Sequence, residues 1–123
     1  MPMLNLDTHI LLRALSGRLR KEERALLEVN DWGISGIVLW EIAKLVQLRR
    51  VEMDLDDADV RHAIGAVHVW PIDFEIARVS TRLDFKGDPA DELIAATSVV
   101  HGAPLITRDR VIRRSKLVPI ARA

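Results

Sequence analysis

The chain has 123 residues, and its 18 lysines and arginines are matched by 18 aspartates and glutamates, so its formal net charge is zero. That is the length of one domain, and with 49% hydrophobic and 29% charged residues it can bury a core and keep a soluble surface, which excludes wholesale disorder. The charge balance excludes a polybasic nucleic-acid coat, and the absence of cysteine excludes disulfides, thiolate metal sites and cysteine nucleophiles, leaving oxygen or imidazole as ligands for any metal.

The first residues, Met1 to Asp7, lack the basic segment of a secretory signal, and no apolar run approaches membrane-spanning length. A cytoplasmic protein with no membrane contact is expected. Residues 3–6 read as a strand, followed by the helix caps Asp7 and Thr8 and a helical pattern in Ile10, Leu11, Leu12, Ala14 and Leu15. A second helix is expected over about 21–29, with Leu26, Leu27 and Val29 inward. A turn at Asn30 and Asp31 leads into Trp32-Gly33-Ile34-Ser35, and Ser35-Gly36 opens a long helix to about residue 49. Residues 54–59 form an acidic helix start leading to Ala58, Ile64 and Ala66, residues 67–72 a buried strand, and Asp73 caps a helix to residue 80. After a polar loop over 81–87, Asp88-Pro89 supplies a cap and a first-turn proline for a helix ending at His101-Gly102. Residues 104–107 read as a strand, 108–114 as a short helix and 117–120 as a last edge strand, where Pro119 is tolerable. Strands alternating with helices imply a single α/β domain over residues 1–123, with a central parallel sheet and helices on both faces as three α/β/α layers.

In open parallel sheets ligands bind beyond the carboxyl ends of the strands. Asp7 and Asp109 each follow a strand, and Asp91 lies in the first turn behind Asp88. Taken singly, each reads first as a helix cap or a dipole partner. Glu41 shares a helical stripe with Val38, Ile42 and Leu45, so an inward carboxylate there needs a salt bridge, a hydrogen-bond network or a metal. The four acids together suit an all-oxygen site for a hard cation such as Mg²⁺ or Mn²⁺.

Four segments carry a family resemblance: Leu6-Asp7-Thr8-His9, Trp40-Glu41-Ile42-Ala43-Lys44, Asp88 to Thr97, and Gly102-Ala103-Pro104-Leu105-Ile106-Thr107-Arg108-Asp109. In order and spacing they resemble the PIN domain, most of all the VapC-like ribonuclease toxins of prokaryotic toxin–antitoxin pairs. The resemblance implies a PIN-like α/β/α fold and a Mg²⁺- or Mn²⁺-dependent endoribonuclease. It makes Asp7, Glu41, Asp91 and Asp109 both the catalytic acids and the metal ligands, with Thr107 and Thr8 in support. Hydrolysis would leave a 5′-phosphate and a 3′-hydroxyl. Implied partners are an RNA substrate, a cognate VapB-like antitoxin and a second copy of the chain in a homodimer. Glu92 departs from the pattern, since many relatives carry arginine there, and this bears on the charge balance around Asp91.

Two segments are basic: Arg13, Arg18, Arg20, Lys21 and Arg24, and then Arg108, Arg110, Arg113, Arg114, Lys116 and Arg122. A charge run is ordinarily a solvated face, but beside an acidic nuclease-like site Arg108, Arg110, Arg113 and Arg114 become candidates for RNA phosphate contacts. Ile10, Leu11, Leu15, Leu26, Leu27, Leu45 and Leu48 exceed what one small core needs, so a dimer face or an antitoxin groove stands beside the core as their use. Trp70 is expected in the core and Trp40 at a helix interface. His9 is a candidate for local packing or for substrate contact, and His62, His68 and His101 have no metal-ligand spacing. Three alternatives stand beside this reading. A phospho-acceptor domain or a haloacid-dehalogenase-like phosphatase would need a second acid soon after the first strand, where Thr8 and His9 stand instead. An inactive PIN-like binding module would lack the metal site.

Overall fold

The computed structural model describes residues 3–122. Short side chains set where most of the helices begin. Asp7 opens α1 (Thr8–Ser16) by accepting the Ile10 N–H at 2.8 Å. At α2 (Lys21–Glu28) the Glu23 carboxylate reaches back to the Arg20 N–H at 2.7 Å. Ser35 caps α3 (Gly36–Gln47), Asp57 caps α4 (Ala58–Gly65) and Asp73 caps α5 (Phe74–Ser80). α6 (Pro89–His101) starts on a proline, where the missing N–H has no intrahelical partner to lose, and Asp109 caps the short α7 (Arg110–Arg113). Each side-chain cap satisfies helix N–H groups that are otherwise orphaned and contributes about 1 kcal/mol. Gly17 and Gly102 close α1 and α6 with φ of 70° and 63°, the left-handed turn that glycine adopts at least cost.

Four strands, β1 (Met3–Leu6), β2 (Asp31–Ser35), β3 (His68–Trp70) and β4 (Leu105–Ile106), form one parallel sheet in the order β3-β2-β1-β4. Side chains alternate along a strand, so β1 shows what covers each face. Asn5 Nδ2 donates to Ile94 O and Ser98 Oγ of α6, at 3.0 and 2.9 Å. Leu4 and Leu6, of opposite parity, are also buried. Helices therefore cover both faces, as a parallel sheet requires and as the alternating pattern implies. Around β1 the core gathers Ile10, Leu11, Ile34, Val38, Ile42, Ile94 and Leu105.

Gly33 of β2 leaves the space that the Trp70 indole of β3 fills. A Cβ there would stand 2.6 Å from two ring carbons of Trp70, and that indole is stacked on His101 at 5.3 Å and meets His68 edge-on at 5.0 Å. With its ring held on both sides, Trp70 has little freedom to yield. Gly33→Ala is expected to cost about 2 kcal/mol, read as a lower urea midpoint at unchanged slope; a wild-type midpoint would show that the indole moves freely.

Several elements differ from the sequence reading, each for a local reason. The strand expected over 67–72 is only His68–Trp70, an edge strand with His68 and Val69 exposed, and Pro71 after it offers no N–H. The strand expected over 117–120 is a single bridge between Leu105 and Ile120. Leu105 N–H donates to Pro119 O at 2.8 Å and Ala121 N–H returns a bond to Leu105 O at 2.9 Å, and the pairing goes no further among the described residues. α3 ends at Gln47, and the acidic segment's helix begins only at Ala58. The core absorbs Ile10, Leu11 and Leu27, with Leu15 and Leu26 packed against it; Leu48, at 60% exposure, and Val29 face outward. Trp70 is in the interior as expected, whereas Trp40 is exposed, with the Lys44 ammonium 5.9 Å from its ring centroid. Among the described residues no helix is long and apolar enough to cross a membrane.

Candidate functional site

Beyond the carboxyl ends of β1 and β4, one open cavity of about 400 Å³ is lined by Asp7, Thr8, His9, Arg13, Glu41, Asp88, Asp91, Arg108 and Asp109. All four acids singled out from the sequence reach it, from four separate elements. Asp7 is placed by its capping bond at the end of β1. Burial pushes its carboxyl up from the ordinary aspartate value, and the Thr107 hydroxyl, the Ile10 N–H, His9 and Arg13 oppose this only in part. Glu41 arrives from α3, half-buried, and accepts a hydrogen bond from the buried Thr8 hydroxyl at 2.5 Å. Asp109 accepts the Val111 and Ile112 N–H groups and gives its own N–H to Thr107 Oγ1 at 3.1 Å. Thr8 and Thr107 thus hold acids in place.

Asp91, in the first turn of α6, carries the clearest electrostatic mark. Its pKa is pushed up to about 6, first by burial and then by the carboxylates of Glu41, Asp88, Asp109 and Asp7. Glu92 does not line the cavity. Asp88 is the acid that the sequence reading left as a simple cap. Its side chain makes no capping hydrogen bond and lines the cavity instead, and the available signal was its place three residues before Asp91.

Among the described residues, no three acidic or imidazole side chains are gathered tightly enough to form a closed ion-binding cluster. The donor set nevertheless suits a hard divalent cation. Five carboxylates and a threonine hydroxyl share one recess with only Arg13 and Arg108 to offset them, and the raised pKa of Asp91 registers that excess of negative charge.

Arg108, expected to face RNA, has its guanidinium committed. Nε and Nη2 donate to the two Glu23 oxygens, each at 2.7 Å, and this pair holds the Glu23 carboxyl below its ordinary value. Arg113 donates to Thr107 O at 2.9 Å, while Arg110 and Arg114 are exposed. Arg108, Arg110 and Arg113 line a neighbouring cavity of about 470 Å³, and Arg114 does not. Glu23 was missed because its partner lies 85 residues away in sequence.

A parallel α/β sheet with acids from four elements facing one another beyond its strand ends defines a class of acid-site domains. Within that class the match is specific: residues 5–116 fit the PIN domain, and the chain belongs to that family. Ribonuclease VapC22 of Mycobacterium tuberculosis is 29% identical over 94 residues, covering 73% of this chain and 72% of its own length. Two solved structures share the fold. VapBC2 from Rickettsia felis, bound to a promoter DNA fragment, has a TM-score of 0.72 at 18% identity over 97% of each chain. A toxin–antitoxin complex from Klebsiella pneumoniae has a TM-score of 0.63 at 26% identity over 86% of each chain.

Proposed function

We propose that the chain is a divalent-cation-dependent endoribonuclease, working in the cytoplasm as the toxin of a toxin–antitoxin pair with a VapB-like antitoxin. The observation that carries this reading is that Asp7, Glu41, Asp91 and Asp109, from four elements, line one cavity. The ribonuclease and toxin–antitoxin names of the relatives support it. Asp7, Glu41, Asp91 and Asp109 would hold Mg²⁺ or Mn²⁺, which when bound supplies charge neutralisation at the scissile phosphate and a more acidic attacking water.

The chain's own groups do the remaining work. Thr8 holds the Glu41 carboxylate at the cavity wall, and Thr107 holds the backbone of Asp109. Arg13, at the cavity's rim, offers positive charge to a phosphodiester, while Arg108 stays paired with Glu23. Hydrolysis would leave a 5′-phosphate and a 3′-hydroxyl. Trp40 at 57% exposure, Phe74 at 82% and Leu48 support contact surfaces for a homodimer and for the antitoxin.

The test is incubation of the purified chain with end-labelled and circular single-stranded RNA in Mg²⁺, Mn²⁺ or EDTA. Cation-dependent cuts in both RNAs, ending in 5′-phosphate and silenced by a co-purified antitoxin, are expected. Intact RNA under every cation condition would refute the nuclease reading.

A further inference from the structure

The acid cavity is the middle of three. On one side it shares Arg108 with the cavity of about 470 Å³; on the other it shares His9 and Arg13 with a third, of about 490 Å³. Both outer cavities are basic. Once Arg108 and Glu23 cancel, the first presents Arg20, Arg110, Arg113 and Arg122 against Glu22 alone, and the third presents Arg13, Arg18 and Arg50 against Glu52 alone. In a chain of zero net charge this is segregation and not composition. Crowding like charges in a recess raises the free energy of the empty protein, so the arrangement calls for an anion.

The third cavity is assembled from distant parts of the chain. Arg13 belongs to α1 and Arg18 follows it, whereas Arg50 is delivered from the end of α3 by a reversal at Arg49, whose φ is 57°. The Arg50 N–H closes this turn on Leu45 O at 2.9 Å. With the Arg49 N–H also donating to Val46 O at 3.0 Å, this is the two-bond closure by which helices commonly end, and it leaves Arg50 lining the same cavity as Arg13 and Arg18.

We infer that these three cavities form one groove open at both ends, through which a single RNA strand runs. The phosphate to be cut lies over the acids, one flank of the strand is held by Arg110 and Arg122 and the other by Arg18 and Arg50. This rests on the nuclease reading and extends it by naming both flanks. The order basic, acidic, basic suits a polyphosphate whose middle unit meets a cation held by carboxylates.

Binding of fluorescein-labelled single-stranded RNA, measured by anisotropy in EDTA so that no cleavage occurs, tests the path with three doubly substituted chains. Arg110→Ala with Arg122→Ala, and Arg18→Ala with Arg50→Ala, are each expected to weaken binding about tenfold and to make the dependence of log K on log salt shallower by about 1.4, the release expected for two lost phosphate contacts. Arg61→Ala with Arg82→Ala, which line none of the three cavities, is expected to match wild type. If wild type binds RNA but only one of the first two pairs matters, the two-ended path is wrong. If wild type binds no RNA in EDTA yet cleaves it in Mg²⁺ or Mn²⁺, the basic ends do not hold the strand and the path is overturned; if it neither binds nor cleaves RNA, the nuclease reading itself fails. If both pairs lose affinity for poly-glutamate and keep it for RNA, the ends serve an acidic protein partner and the path is overturned.

Discussion

Asp7→Asn is expected to reduce RNA cleavage on the order of 10³-fold and to leave the melting temperature unchanged or higher. The two halves have one cause. Asp7 lies where burial disfavours its charge, and its carboxyl is raised for that reason. Asparagine keeps the oxygen that accepts the Ile10 N–H and is as good a helix cap, so the structural role survives while the buried charge is removed. A residue retained for folding would show the opposite: lost stability and unchanged cleavage in a mixture of folded chains. Gel assays with labelled RNA and a thermal melt decide between them. Near-wild-type cleavage by the variant would take Asp7 out of the catalytic set.

Asp91→Asn addresses the cation. The folded-state pKa of about 6 lies above the ordinary aspartate value of 3.8, so between these values the folded chain binds more protons than the unfolded one. Cation-free stability must then fall as pH rises through that window and stay low above it. The full shift corresponds to about 3 kcal/mol, and since Asp91 is only part-buried, solvent screening brings the expected contribution to about 1 kcal/mol. In EDTA, the advantage of Asp91→Asn over wild type in urea midpoint should grow from pH 4 to pH 7. Adding Mn²⁺ at a hundred times its dissociation constant should stabilise wild type by about 2.7 kcal/mol and the variant much less. Comparing the two chains isolates Asp91 from other titrating groups, including Glu23, whose lowered pKa works in the opposite direction. Equal stability of the two chains at pH 7, with no gain from Mn²⁺ in either, would show that these carboxylates neither repel one another nor hold an ion.

The Arg108–Glu23 pair changes how the basic segment is understood. Arg108 reads in sequence as a free phosphate contact beside Asp109, but its fork is filled by a carboxylate that also caps α2. Phosphate contact passes instead to neighbours such as Arg110 and Arg122, which surround the same recess. Asp88 is the converse case: legible as a cap, it leaves that role and joins the acids.

The sequence by itself determined the alternation of strands and helices, the helix starts at Asp7, Ser35, Asp73 and Asp109, the acids Asp7, Asp91 and Asp109 that follow strands or open helices, and Glu41 on the apolar stripe of a helix. These signals act within about four residues of one another, through hydrogen bonds to the nearest N–H groups and through side-chain periodicity, so no tertiary knowledge is needed to read them. The tertiary structure alone decided that β3 is an edge, that Gly33 must make room for Trp70, that Glu23 meets Arg108, and that basic recesses flank the acids on both sides. Each of those depends on chain segments distant in sequence, and their approach is set by burial of the apolar core, which carries no local mark. The zero net charge is the clearest instance. Composition reports only the sum, while the fold separates its parts into an acidic centre between two basic ends.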